Sequence, residues 1–92
     1  MNFHVAWTPK ADQQIQHIWS TASADLRDAI LVALMRIAAD LTTQPNDVGE
    51  SRSQTRRIAF FLPLVINFDV DVERRKVRIG GVKVVEAKGD GK

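Results

Sequence analysis

Residues 49–85 read GESRSQTRRIAFFLPLVINFDVDVERRKVRIGGVKVV, and this stretch decides the fold. Three segments rich in apolar residues, at 57–62, 64–70 and 76–85, are separated by Pro63 and by the charged run 71–75. Alternation of apolar and polar residues is typical of half-buried β-strands. The stretch therefore predicts three consecutive strands with tight connections, and Gly80 and Gly81 permit a bulge in the last one.

The residues before this stretch predict one strand and two helices. The alternation over residues 3–7 indicates a first strand. Thr8 and Pro9 then suit the start of a helix over 9–20, since Thr is a good N-cap and Pro is tolerated at the first helical position. A second helix, over 23–43, has to end before Pro45, and residues 44–55 follow as a polar loop. The apolar stripe of the second helix comprises Leu26, Ile30, Leu34, Ile37 and Leu41.

These elements give the order β-α-α-β-β-β. The prediction is an α+β fold, in which a helical hairpin packs on one face of a mainly antiparallel sheet. The chain has 92 residues, of which 45% are hydrophobic and 26% charged, as expected for one globular domain. We expect this domain to span residues 1–86 and residues 87–92 to form a flexible tail. Ile30, Leu34 and Ile37 are expected among its most buried side chains.

Charge is distributed unevenly along the chain. Ten of the 13 Lys and Arg residues lie at or beyond Arg52, whereas six of the 11 Asp and Glu residues lie at or beyond Glu50, so this half is net +4. Residues 1–49 hold three basic and five acidic residues, net −2. The asymmetry indicates a surface that faces a polyanion. The alternative is that arginines at strand ends form a solvated rim.

The cysteine and histidine content and the length of the apolar runs exclude several classes of protein. The chain contains no cysteine and two histidines, so we expect no disulfide, no metal site and no cofactor. The longest apolar run, AILVALMRIAA, is broken by Arg36, and no run approaches the ~18 residues that span a bilayer. We therefore expect a protein of the cytoplasm without a membrane partner.

The residues in this order resemble the RelE/ParE superfamily of bacterial toxins, which includes plasmid-stabilisation proteins. The opening VAWTPKADQQIQHIW is similar to the family's first strand and helix. The GESR turn and the segment RRIAFFLPLVINFDVDVERRKVRI are similar to its later hairpins, so the likeness covers residues 3–85. It implies the toxin of a type II toxin–antitoxin pair, with a cognate antitoxin as partner.

The resemblance further implies an RNA-binding protein that cleaves messenger RNA on the ribosome, by attack of a 2′-hydroxyl on the adjacent phosphate. Arginine suits this chemistry because its planar fork matches phosphate oxygens. We expect Arg57, Arg78 and Glu50 to be catalytic, with Glu50 as the base. Arg52, Arg56 and Lys83 are expected to bind RNA or another target. The face of the sheet away from the helices is expected to carry Arg52, Arg57, Arg78 and Lys83.

The chain departs from the nuclease pattern of the family at three places. Val65 stands where relatives often have an arginine, and Phe68 stands where a phenol would be needed. There is no tyrosine, and no histidine follows His17. Two further functions therefore remain open. One is a non-catalytic toxin that binds a topoisomerase such as DNA gyrase, and the other is a non-toxic member of the fold that serves as a binding module. Nothing in the sequence indicates the oligomeric state.

Overall fold

A computed structural model describes residues 2–85 of the protein, so the predicted tail over 87–92 lies outside the described residues. The helices and strands follow the predicted order with one addition, a two-residue strand. The elements are β1 (His4–Trp7), α1 (Pro9–Thr21), α2 (Ala24–Thr43), a 3-10 turn (Pro45–Asp47), β2 (Glu50–Ser51), β3 (Arg56–Phe61), β4 (Leu64–Asp71) and β5 (Lys76–Val84).

The five strands form one sheet in the order β1-β5-β4-β3-β2. Strands β2 to β5 pair antiparallel with their neighbours, whereas β1 pairs parallel with β5. The first strand of the chain therefore lies beside the last one. The predicted bulge is present, because Asn67 pairs with Gly81 and Phe68 pairs with Ile79, which leaves Gly80 without an opposite residue.

Both helices begin where the sequence predicts. The hydroxyl of Thr8 accepts a hydrogen bond from the backbone N–H of Ala11 (3.2 Å), and Ser23 caps α2 by accepting one from Leu26 (3.1 Å). These caps satisfy N–H groups that have no partner within a helix. The parts of the chain described by the structure include no helix that combines the length and the apolar character needed to cross a membrane.

The core lies between the helical hairpin and one face of the sheet. Ile30 and Ile37 are buried as predicted, and Leu41 of the same stripe is buried too, but Leu34 is only half-buried. The prediction for Leu34 is wrong because Ala33 continues the line from Ile30 to Ile37, and Leu34 lies at the edge of the buried stripe. The sheet contributes Ala59, Phe61, Leu64, Ile66, Phe68, Val70, Val77, Ile79 and Val82.

The predicted polar loop over 44–55 is partly ordered by β2. Gly49 has a φ of +69°, a left-handed conformation that glycine adopts without strain. A Cβ at this position would meet the carbonyl oxygen of Ile58 and would lie 2.7 Å from Cβ of Ala59. Only glycine therefore lets the chain approach β3 closely enough for Glu50 to pair with Ile58 and Ser51 with Arg57.

Candidate functional site

The face of the sheet that points away from the helices carries the charged side chains, and we refer to it as the open face. Directly paired residues of neighbouring strands point to the same face, so the register identifies its members. They are His4 and Ala6 of β1, Lys76, Arg78 and Lys83 of β5, Val65, Asn67, Asp69 and Asp71 of β4, Arg56, Ile58 and Phe60 of β3, and Glu50 of β2.

Arg78 lies in the middle of a row that crosses the sheet. Its direct neighbours are Ala6 on β1 and Asp69 on β4, and Asp69 in turn lies opposite Arg56 on β3. The closest charge pair in this row joins Nε of Arg56 to Oδ1 of Asp69, 3.7 Å apart. Arg78 is exposed and forms no ion pair or side-chain hydrogen bond with any residue of the described chain, 2–85. It therefore presents a guanidinium whose donors remain open to a ligand.

The second acidic side chain of the open face, Asp71, is held by the β4–β5 turn. The backbone N–H of Arg74 donates to Oδ1 of Asp71 (3.1 Å) and lowers the pKa of that carboxyl. The Arg74 guanidinium donates to Oδ2 (3.3 Å) and acts in the same direction. Asp71 thus stays ionised at neutral pH, but its charge is matched by Arg74. The acids of β4 have basic partners elsewhere, which leaves the cations of β5 as the unmatched charges.

His4 joins this group, although it was not among the site residues predicted from the sequence. It lies opposite Lys76 and is exposed, one step along β1 from the position beside Arg78. No signal within the sequence identifies His4, because the parallel pairing of β1 with β5 brings together residues at opposite ends of the chain. Together with Ala6, Asp69 and Asp71, the residues His4, Lys76 and Arg78 line one open depression, which Arg57 and Arg74 also line.

Arg57 does not lie on the open face, so this part of the prediction is wrong. It pairs with Phe68, a core residue, and its side chain points to the helix side of the sheet. There, Nε donates to the carbonyl of Val48 (2.8 Å) and Nη2 donates to that of Gly49 (3.0 Å). Arg56, its neighbour, takes the place on the open face. Arg57 therefore holds the segment before β2 against β3.

Replacing Arg57 by alanine is expected to lower the free energy of unfolding by about 1–2 kcal/mol, because two charge-assisted hydrogen bonds are lost. The matched variant Arg56→Ala removes only an exposed ion pair and is expected to cost about 0.5 kcal/mol or less. Urea denaturation of both variants checks this expectation. Equal stabilities would show that Arg57 has no structural role.

Glu50 and Arg78 are not brought together. Strands β3 and β4 separate β2 from β5, so the backbones of the two residues lie at least about 14 Å apart at ordinary strand spacing. The two side chains are therefore not neighbours on the open face. Arg52 follows β2 at the same far edge, is exposed, and donates its backbone N–H to the carbonyl of Arg56 (2.8 Å). Glu50 and Arg52 thus lie at the far edge of the sheet, whereas Arg56 shares the row of Asp69 and Arg78.

Lys83 lies on the open face as predicted, but at its apolar end. It is opposite Val65, which is opposite Phe60, and Phe60 is 64% exposed. Leu62 (65%) and Val85 (42%) are exposed nearby, in the β3–β4 turn and just after β5. The open face therefore has a charged end around Arg78 and an apolar end around Phe60. Nowhere in residues 2–85 do three or more His, Cys, Asp or Glu side chains meet in an arrangement that suits a metal ion.

Solved structures share this architecture. A chain of the RelBE2 toxin–antitoxin complex from Mycobacterium tuberculosis matches with a TM-score of 0.70 and 22% identity, over 91% of this chain and 92% of that one. A chain of the chromosomal ParDE system of P. aeruginosa matches with a TM-score of 0.62 and 18% identity, over 91% and 97%. The isolated RelE toxin of E. coli matches with a TM-score of 0.54 and 10% identity, over 95% and 88%.

The chain has the RelE/ParE toxin fold. The resemblance predicted from the sequence is thus confirmed for the fold. No protein-family sequence model matches the chain. No curated protein matches it significantly by sequence. A fold does not determine an activity, so the evidence for activity has to come from the residues of the open face.

Proposed function

We propose that this chain is the toxin of a toxin–antitoxin pair and that it acts on ribosome-associated messenger RNA. The observation that carries the proposal is the unmatched Arg78 at the charged end of the open face, with Lys76 and His4 in the adjacent row. The RelE/ParE fold supports the toxin assignment. A guanidinium without an internal partner suits a phosphate better than one already bound to a carboxylate.

The chemistry that fits this group is RNA cleavage in which a 2′-hydroxyl of the RNA is the nucleophile. The 2′-oxygen of a nucleotide attacks the adjacent phosphorus, the bond from phosphorus to the 5′-oxygen breaks, and a 2′,3′-cyclic phosphate and a 5′-hydroxyl result. Arg78 and Lys76 stabilise the negative charge that develops on the phosphate oxygens. Histidine is the side chain that most often moves protons in catalysis, so His4 replaces Glu50 as the candidate acid or base.

The partner that this proposal requires is an antitoxin. Two of the structures that share the fold come from complexes or systems of a toxin with an antitoxin. Unmatched cations such as Arg78 and Lys76 suit an acidic segment, which would block access of RNA. Action on ribosomes implies that the protein works in the cytoplasm, and this location is part of the proposal.

Induced expression of the chain without an antitoxin tests the proposal. Growth is expected to stop, protein synthesis to cease, and messages to be cut within their translated regions. Primer extension on an abundant message locates the cuts, and reaction of the upstream fragment with a phosphate-specific ligase identifies a cyclic phosphate. Intact messages during growth arrest would reject the RNA target.

The apolar end of the open face favours a second candidate, a toxin that binds a topoisomerase and has no nuclease activity. Phe60, Leu62 and Val85 are all exposed at the same end of the sheet, and exposed apolar patches often mark protein-binding surfaces. The chain also lacks the tyrosine that nuclease relatives use.

The same induced cultures separate the alternatives. Growth arrest with intact messages and altered plasmid supercoiling supports the topoisomerase target, and purified gyrase then gives a direct test of inhibition. Normal growth at good expression of folded protein leaves only a non-toxic binding module.

A further inference from the structure

The outer face of α2 carries an apolar patch that the core does not use. Leu31, Val32 and Met35 are 48%, 57% and 71% exposed, and they are neighbours at the middle of the helix. They point away from the sheet, because Ile30, Ala33 and Ile37 of the same helix face the core. Single exposed apolar residues are common, but a contiguous cluster on a long, regular helix often marks an interface.

The charges beside this patch have a symmetric arrangement. Asp28 precedes Val32 by about one helical turn, and Arg36 follows Val32 by the same distance. Both side chains are exposed, and neither forms an ion pair with another residue of the described chain, 2–85. The row Asp28–Val32–Arg36 therefore has an acid at one end, an apolar residue at the centre and a base at the other end.

We propose that this face binds the same face of a second copy of the chain, with the two α2 helices antiparallel. In the commonest class of helix packing, rows of residues four apart lie parallel to one another at a crossing angle of about −50°. When two copies of the row lie alongside in opposite directions, Val32 meets its own copy. Asp28 of each protomer then faces Arg36 of the other.

The pattern favours a second copy over an unrelated helix. A two-fold interface has to be complementary to itself, so that each contact occurs twice. The row fulfils this condition. When the second copy runs in the opposite direction, each Asp28 lies opposite an Arg36 and the two Val32 side chains lie opposite each other. Leu31 and Met35 are also four residues apart and form the neighbouring row of α2. In the proposed dimer they pack into the groove beside Val32 of the other protomer. The open face lies on the opposite side of the sheet and stays accessible in both protomers.

The dimer is expected to be weak and dependent on concentration. A single helix pair buries less surface than the roughly 1,200–2,000 Å² of standard stable interfaces. Sedimentation velocity of the full chain over a concentration series measures the equilibrium. A reversible shift from monomer to dimer at micromolar concentrations is expected. A monomer at every concentration up to about 1 mM, the weak end of specific association, would overturn the proposal.

Charge exchange identifies the surface. Asp28→Arg places two arginines together in each of the two contacts, and Arg36→Asp places two carboxylates together. Each variant is expected to weaken dimerisation at least about tenfold, and the double variant to restore it. Glu73→Arg and Arg74→Asp make the same charge changes in the β4–β5 turn and should leave the dimer unchanged. Failure of the double variant to recover would show that these residues do not face each other.

Disulfide cross-linking gives an independent test of the interface. The chain contains no cysteine, so any introduced cysteine is the only one present. Val32→Cys is expected to form a disulfide-linked dimer under mild oxidation, since the two-fold axis passes near this position. Val72→Cys, equally exposed in the β4–β5 turn, is the control and should stay monomeric. Equal cross-linking of both variants indicates random collision and contradicts the proposed interface. Binding of an antitoxin helix to Leu31 and Met35 of a chain that never self-associates would likewise reject it.

Discussion

Replacing Phe68 by alanine is expected to lower the free energy of unfolding by about 3–5 kcal/mol, the largest effect on stability that we predict. Phe68 is 1% exposed and lies on β4, the middle strand of the sheet. Its partners across the sheet are Arg57 on β3 and Ile79 on β5. The truncation leaves a cavity between the sheet and the helices, where close packing on all sides prevents collapse.

Phe60→Ala is the matched control for this change. It removes the same atoms from β3, but Phe60 lies on the open face and is largely exposed, so a cost of about 1 kcal/mol or less is expected. Urea denaturation followed by circular dichroism measures both variants. Since small domains are stable by about 5–15 kcal/mol, the Phe68 variant is expected to lose a substantial part of its stability. Similar midpoints for the two variants would show that the core is not where the structure places it.

Arg78→Ala is expected to reduce the proposed RNA cleavage by about 10²–10³-fold, the usual cost of removing one group that stabilises developing charge. The side chain has no internal partner, so its loss should leave the fold intact. Growth after induction should then recover to nearly the rate of cells without the toxin. The measurement combines growth curves with the amount of cut message at equal levels of soluble protein.

Arg74→Ala is the control for Arg78→Ala. Arg74 has the same charge and is also exposed, but it lies in the β4–β5 turn and already binds Asp71. Toxicity of this variant should match that of the natural chain. His4→Ala should reduce cleavage as well, whereas Glu50→Ala should not, since the backbones of Glu50 and Arg78 lie at least about 14 Å apart. A toxin impaired by Glu50→Ala but unaffected by Arg78→Ala would place the activity at the other edge of the sheet.

Local signals in the sequence were sufficient for most of the fold. Thr8 and Ser23 mark the starts of the helices, and Pro63 and the charged run after Asp71 mark the hairpins. Strand β2 was missed, because two polar residues carry no periodic pattern. Its formation depends on close approach to β3, which becomes visible only when Gly49 is placed against Ile58 and Ala59.

The site was less predictable than the fold. Alternation shows that Arg56 and Arg57 point to opposite faces, but it does not say which face meets the helices. The answer comes from the register of β3 against β4, since Arg57 is opposite Phe68. His4 was missed for a similar reason, because no local pattern reveals that β1 pairs with β5. Residues brought together by long-range pairing are those that a single sequence specifies least.

The parallel pairing of β1 with β5 has a consequence for biosynthesis. Strand β1 has no partner strand until β5 has left the ribosome, because Val5 pairs with Val77 and Trp7 with Ile79. Pairings between the two ends of a chain form late, since closing the long loop between them costs entropy. The proposed site, with His4 on one of these strands and Arg78 on the other, is therefore absent from the nascent chain. A ribosome that has translated the chain only as far as β4 is therefore not exposed to a complete site on that product.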